Sequence, residues 1–253
     1  MKSLDSLFII LLVIGTISSF IGTLAGGGGL ITLPAMMLVG IPIHTGIATN
    51  KFSSAFAALT SVSYLLKEKQ LTAKAIGFLV MVAAFGGLFG ALITASIAEK
   101  AMNIVAFILL LFALVFTLAN RKLGEVEQKE SMPPSFISKT MPFLIATYDG
   151  GFGPGSSTFG ILHYMNQRST YIKAVQLTRV LTLGSSIGAF LVFYQTGYVN
   201  WHHAIAMAIG SALGSQLGLL LVPKIPLRYA KVLLLTIMFL LVGEVLYKIL
   251  QVV

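Results

Sequence analysis

The chain contains no cysteine, so disulfides and thiolate metal ligands are excluded. Charge is scarce too. Only 10% of the 253 residues are Asp, Glu, Lys or Arg, against about 25% in a soluble domain. Acids are rarer than bases, 8 against 17, which leaves a formal charge of +9. No soluble basic domain exists to present that charge to nucleic acid, and the basic residues fall mainly in short connections, where they set orientation. A GxxxxGK[ST] phosphate loop is missing: the glycines at 26–29 are followed by Leu30, Ile31 and Thr32. ATP-driven transport by this chain alone is therefore not expected. There is no two-histidine helix motif and no carboxylate cluster at metal-ligand spacing, so neither a metal nor a cofactor is expected.

What the chain has is hydrocarbon. The sequence is 57% hydrophobic, with mean hydropathy +0.93. The segments 45–66, 75–98, 101–119, 171–194, 203–222 and 229–250 can each cross about 30 Å of lipid as helices. None alternates with period two as an outer-membrane strand does. The fold class is all-α integral membrane. The apolar stretch from Leu7 to Leu24 runs straight into a glycine cluster and is read as part of the fold rather than as a signal peptide.

Two glycine-rich breaks interrupt the apolar segments, at Gly26 to Gly29 and at Gly150-Gly151-Phe152-Gly153-Pro154-Gly155. Setting Gly27 on Gly153 puts Gly29 on Gly155, Ala48 on Ala174 and Asn50 on Gln176. Gly86, Gly87 and Gly90 find a partner cluster in Gly210-Ser211 and Gly214. Matches in the same order indicate an internal duplication. Its parts are a first transmembrane repeat over 1–120, a cytoplasmic linker over 121–139 and a second transmembrane repeat over 140–253. The linker holds four Lys/Arg, three Glu and Pro133-Pro134.

Loop charge sets the relative orientation. Loop 67–74 carries Lys67, Lys69 and Lys74, and its counterpart near 195–202 carries no Lys or Arg; Lys100 stands alone where the second repeat has Lys224, Arg228 and Lys231. The reversed bias predicts inverted repeats. Each repeat then needs three spans behind a helical hairpin that starts and ends on one side, with the glycine break near its tip. Whether the hairpin arms re-enter or cross fully is left open, giving 8–10 membrane segments. The linker is expected in the cytoplasm and both termini outside.

Non-helical backbone at membrane depth survives only where protein or a wet cavity satisfies it. A helix restarting after such a break points a partial positive charge and free N–H groups at the gap. Gly27, Gly28, Gly29, Gly153 and Gly155 are therefore expected to line a small-anion site. Thr49, Asn50, Ser156 and Gln176 are expected to add hydroxyl and amide donors, with Ser157, Thr158 and Thr178 nearby. Arg179 and Lys51 lie inside apolar spans, where an ionisable group usually faces a cavity or a partner. Arg179 is expected to supply charge. Lys51 and Asp149 are candidates for charge or coupling, Asp149 either by pairing with Arg179 or by carrying a proton. Gly86, Gly87, Gly90, Gly210 and Gly214 read as close-packing positions. Glu244 is read as a partner of Lys248, and His44, His202 and His203 as interfacial.

The run GTLAGGGGLITLPAMMLVGIPIHTGIATNKFSSA resembles the first-repeat signature of the TauE/SafE sulfite exporter family: a glycine run, Pro34, the short loop at Gly40, then Ala48-Thr49-Asn50. Asn50 stands where that pattern more usually has serine. The segment YDGGFGPGSS resembles the family's second glycine signature. The resemblance covers nearly the whole chain. It implies a multi-pass permease of the inner membrane that moves sulfite, sulfoacetate or related organosulfur anions.

The expected function is a secondary transporter of small sulfur-containing anions, working by alternating access between the two breaks. A channel for an anion or small solute is the alternative. An enzyme is not expected: a serine hydrolase would need Ser156 within reach of a histidine, and His163 is the nearby one. The expected partners are a small anion and the lipid bilayer, not nucleic acid; a homodimer is left open.

Overall fold

The computed structural model describes residues 2–25, 28–67, 72–119, 136–167, 169–221 and isolated helical positions between 229 and 243. The described elements are α1 (Lys2–Ala25), α2 (Gly29–Leu38), α3 (Ile43–Lys67), α4 (Ala73–Ser96), α5 (Glu99–Ala119), α6 (Phe136–Gly151), α7 (Ser156–Asn166), α8 (Tyr171–Gln195) and α9 (Trp201–Leu221). No strand occurs among the described residues. The expected spans fall within two residues of α3, α4, α5, α8 and α9. Most of 229–250, with Glu244 and Lys248, lies outside the described residues, as do Gly27, Lys69, Lys224, Arg228, Lys231 and positions 121–135 of the expected linker. The last residues of that linker already belong to α6.

Among the described residues, five helices are long and apolar enough to cross a membrane: those over Ser6–Thr23, Ala73–Ser96, Glu99–Ala119, Lys173–Gln195 and Trp201–Leu221. Their outer faces carry Phe78, Phe85, Ile104 and Leu220, each more than 60% exposed. Apolar surface on this scale is at home against lipid, not water. The chain is an integral membrane protein. α3 is as long, but it buries Asn50, Lys51 and Ser53, so its polarity serves the interior. α2 and α7 hold 10 and 11 residues. At about 1.5 Å per residue each reaches about 15 Å, half the hydrocarbon thickness. α2 ends in a Schellman turn: Gly40, at φ +85°, donates to Met37 O, and Ile41 donates to Met36 O.

Helix crossings are set by small residues. A β-carbon at Gly90 would run into the Thr147 carbonyl of α6, and one at Gly214 into the Thr16 carbonyl of α1. These positions and Gly86, Gly87 and Gly210 therefore serve close packing, as the sequence suggested. Gly86 meets Phe143 one turn before Gly90 meets Thr147, so α4 and α6 run parallel. Likewise Gly210 meets Leu12, Gly214 meets Thr16 and Gly218 meets Thr23, so α9 and α1 run parallel. α3 and α8 run oppositely. Phe52, early in α3, packs on Phe190, late in α8, whereas Ala58 and Val62 share a core with Val180 and Leu183.

The densest packing joins α1 to α9, α3 to α9, α4 to α6 and α4 to α8. The fourth helix of each half thus lies in the other half. One body comprises α1, α2, α3 and α9; the other comprises α4, α6, α7 and α8. They meet along α3 and α8.

Candidate functional site

At the first break the described backbone resumes at Gly28. The Gly28 carbonyl accepts from Ile31 N, Thr32 N and Thr32 Oγ1, all at 3.0 Å. α2 therefore restarts against its own chain, and Gly28 packs on Ser18 and Gly22 of α1. At the second break the Tyr148 carbonyl accepts from Phe152 N and Gly153 N at 2.9 and 3.1 Å, which ends α6. Gly153 and Gly155 then take φ of +100° and +84°, a left-handed backbone in which any side chain would be strained. The Tyr148 hydroxyl donates to Pro154 O at 2.7 Å and braces the tip. Among the described residues, the N–H groups of Gly155 and Ser157 have no protein acceptor. They are donors left over at the start of α7.

The two breaks touch. A β-carbon on Gly29 would stand 3.4 Å from Pro154 Cα. Beside this contact lies a cavity of about 50 Å³. A single water centre needs roughly 10–15 Å³ of such space, so there is room for a few waters or one compact oxyanion. Gly28, Gly29, Asn50, Asp149, Gly153, Gly155, Ser156 and Arg179 all reach its wall, so most of the expected site residues come together. Asn50 Nδ2 faces Gly153, where a β-carbon would stand 3.4 Å from it.

Hydroxyl groups supply much of the remaining wall: Ser18 and Ser19 of α1, Thr32, Ser54, Thr182 of α8 and Ser211 of α9. The sequence reading did not single these out. Serine inside an apolar helix usually bonds its own backbone, and nothing in one sequence marks those that face a cavity.

The charged groups are arranged differently from expectation. Asp149 does not pair with Arg179. The Lys51 ammonium donates to the Asp149 backbone carbonyl and stands 3.6 Å from its Oδ1. Ser156 Oγ donates to Oδ1 at 2.5 Å, and Ser185 Oγ donates to Oδ2. The Ser156 hydrogen is therefore directed to Asp149 rather than left for a solute. Arg179 Nη2 donates to Thr23 Oγ1 at 2.7 Å, and among the described residues no carboxylate pairs with it. Among the described residues around the cavity, Lys51 and Asp149 cancel and Arg179 leaves one positive charge.

Two of the expected donors, Thr49 and Gln176, miss the cavity. Thr49 is fully buried away from its wall, with a hydroxyl that finds no partner among the described residues. Gln176 is half-buried and off the wall. α8 turns Arg179 and Thr182 inward, and Gln176 stands about 4.5 Å further back along the axis. His44, at the start of α3, is 1% exposed, stacked on Tyr198 with ring centroids 4.6 Å apart and with Nε2 3.2 Å from Thr94 O. His163 meets Gln167 at 3.2 Å, whereas Ser156 is engaged by Asp149.

The description "Sulfite exporter TauE/SafE" matches residues 11–245. A probable membrane transporter protein, ORF9, of Sinorhizobium sp. is 34% identical over 210 residues, covering 82% of this chain and 80% of its own length. A probable membrane transporter protein of Haemophilus influenzae is 30% identical over 214 residues, covering 84% of each chain. The probable membrane transporter protein YfcA of Escherichia coli K12 is 26% identical over 226 residues, covering 86% of this chain and 84% of its own. No solved structure gives a significant match.

Proposed function

The chain belongs to the sulfite exporter TauE/SafE family of membrane transporters, and on that premise we propose that it carries a small sulfur-containing anion by alternating access around the cavity between its two breaks. The observation that carries this reading is the meeting of both breaks on one small polar cavity beside Arg179, a cation with no carboxylate partner among the described residues. At about 4 Å and an effective dielectric of about 20, one such charge attracts an anion by about 4 kcal/mol. The N–H groups of Gly155 and Ser157, the Asn50 amide and the hydroxyls of Ser19 and Ser211 are the proposed donors. They bind oxyanion oxygens without adding further buried charge.

The two halves are proposed to be inverted repeats. The reversed loop charges, the opposed run of α3 and α8 and the packing pattern that maps onto itself when α1–α4 are exchanged for α6–α9 support this. The positive-inside rule then puts 67–74, 121–139 and 223–228 in the cytoplasm and both termini outside the inner membrane. Access would alternate by tilting the body of α1–α3 and α9 against that of α4 and α6–α8, because the cavity lies on their seam.

Purified protein in liposomes should move sulfite or a small sulfonate with saturation, and should exchange it against an opposing gradient. Non-saturating flux without exchange would favour a channel. No anion flux under any gradient would remove the proposal.

A further inference from the structure

Lys51 is 1% exposed and does not reach the cavity wall. Both its contacts go to Asp149, one to the backbone carbonyl and one to the carboxylate. Its Nζ also fills the space under the left-handed turn, since a β-carbon on Gly153 would stand 2.7 Å from it. Ser185 is fully buried on α8 and also off the wall. Its hydroxyl reaches Asp149 Oδ2 and, at 3.2 Å, the Thr182 carbonyl. Asp149 is thus gripped by donors from α3, α7 and α8, and it sits shortly before the turn that carries Gly153 and Gly155.

We propose that Lys51, Asp149 and Ser185 form a clamp that positions the second break, and that Lys51 takes no part in holding the solute; this rests on the reading that an anion binds at the breaks. Lys51 belongs to one packing body and Asp149 to the other, so the clamp crosses the seam beside the cavity. Within it the charges cancel, leaving the electrostatic pull on the solute to Arg179. A second solute-binding cation would present its charge to the cavity. Lys51 instead commits its ammonium to a carbonyl and a carboxylate, both buried.

The rescue pattern separates the two roles. With full-length protein in detergent and sulfite as probe, Lys51→Met should weaken binding at least tenfold, because it leaves a bare carboxylate beside the anion. Adding Asp149→Asn should bring the Kd back to within about fivefold of the parent, since the substituted amide still hydrogen-bonds the serines and no charge is left unpaired. A double variant as weak as Lys51→Met, yet monodisperse, would overturn the clamp. Ser185→Ala is the milder variant should the double one not fold. It should weaken sulfite binding about threefold to tenfold from a position off the wall, and an unchanged Kd would overturn the proposal. If the parent protein binds no anion, the functional reading fails and the clamp is judged on unfolding midpoints without ligand. The double variant should then lose less than the two single losses combined; additive losses would overturn it.

Discussion

Gly29 lies against Pro154, close enough that a methyl group on Gly29 would stand 3.4 Å from Pro154 Cα and 3.5 Å from its nitrogen. Each residue belongs to a chain break, and each break restarts a short helix, α2 or α7. Two helix starts brought to one point concentrate partial positive charge there. Nearby, the one cation without a carboxylate partner among the described residues is Arg179. A solute that neutralises this region should stabilise the folded protein by mass action. Sulfite, sulfonates, thiosulfate and carboxylates compared by thermal shift should therefore rank by affinity, and neutral analogues of the same size should have no effect.

Gly155→Ala should destabilise the fold and weaken solute binding together. Gly155 has φ +84°, and a β-carbon there would meet the Ala113 β-carbon at 2.8 Å. Left-handed strain of about 1–2 kcal/mol adds to an overpacking cost of about 1–3 kcal/mol. Unfolding midpoints in detergent, read with and without sulfite, check both effects. A variant as stable as the parent would show that this backbone is not held as described.

The breaks were legible in the sequence because a four-glycine run has little use inside a helix, and its match in the second half placed both. The membrane spans were legible from length and hydropathy alone. The partner of Lys51 was not. Asp149 is 98 residues away, and Arg179, in the span nearest the second break, was the obvious alternative for the acid. Pairing across the seam depends on how the two bodies dock, and no local pattern encodes that docking. The serines of α1 and α9 were hidden for a related reason: their cavity-facing role follows from which helices become neighbours, not from their own surroundings in the chain.

Arg179→Met should weaken sulfite binding at least tenfold with little loss of fold. Arg179 makes one described hydrogen bond, to Thr23, so its removal breaks no ion pair among the described residues. Arg179→Lys should recover part of the affinity, because the charge returns but the planar geometry that reaches Thr23 does not. Isothermal titration of all three proteins checks the order, and equal affinities would remove Arg179 from the site.

Thr49→Val should leave transport unchanged and hold or raise stability. The Thr49 hydroxyl is buried without a partner among the described residues, and an unsatisfied hydroxyl costs about 1–3 kcal/mol. Valine keeps the shape and removes the polar atom. Flux in liposomes and an unfolding curve are the readouts. A large transport defect would mean that the hydroxyl reaches solute in another state of the carrier.

Asn50→Ala and Gln176→Ala separate sequence correspondence from function. The two amides correspond when Gly27 is set on Gly153, yet only Asn50 is on the cavity wall. The matching face of α8 is filled by Arg179 and Thr182, about one turn further on. A hydrogen bond to a charged ligand contributes about 1.5–3 kcal/mol, which is roughly tenfold to a hundredfold in Kd. Asn50→Ala should lose affinity in that range, whereas Gln176→Ala should stay within about twofold of the parent. Equal losses would mean that the carrier uses the two halves symmetrically over its cycle, with Gln176 taking the role of Asn50 when the cavity opens to the other side.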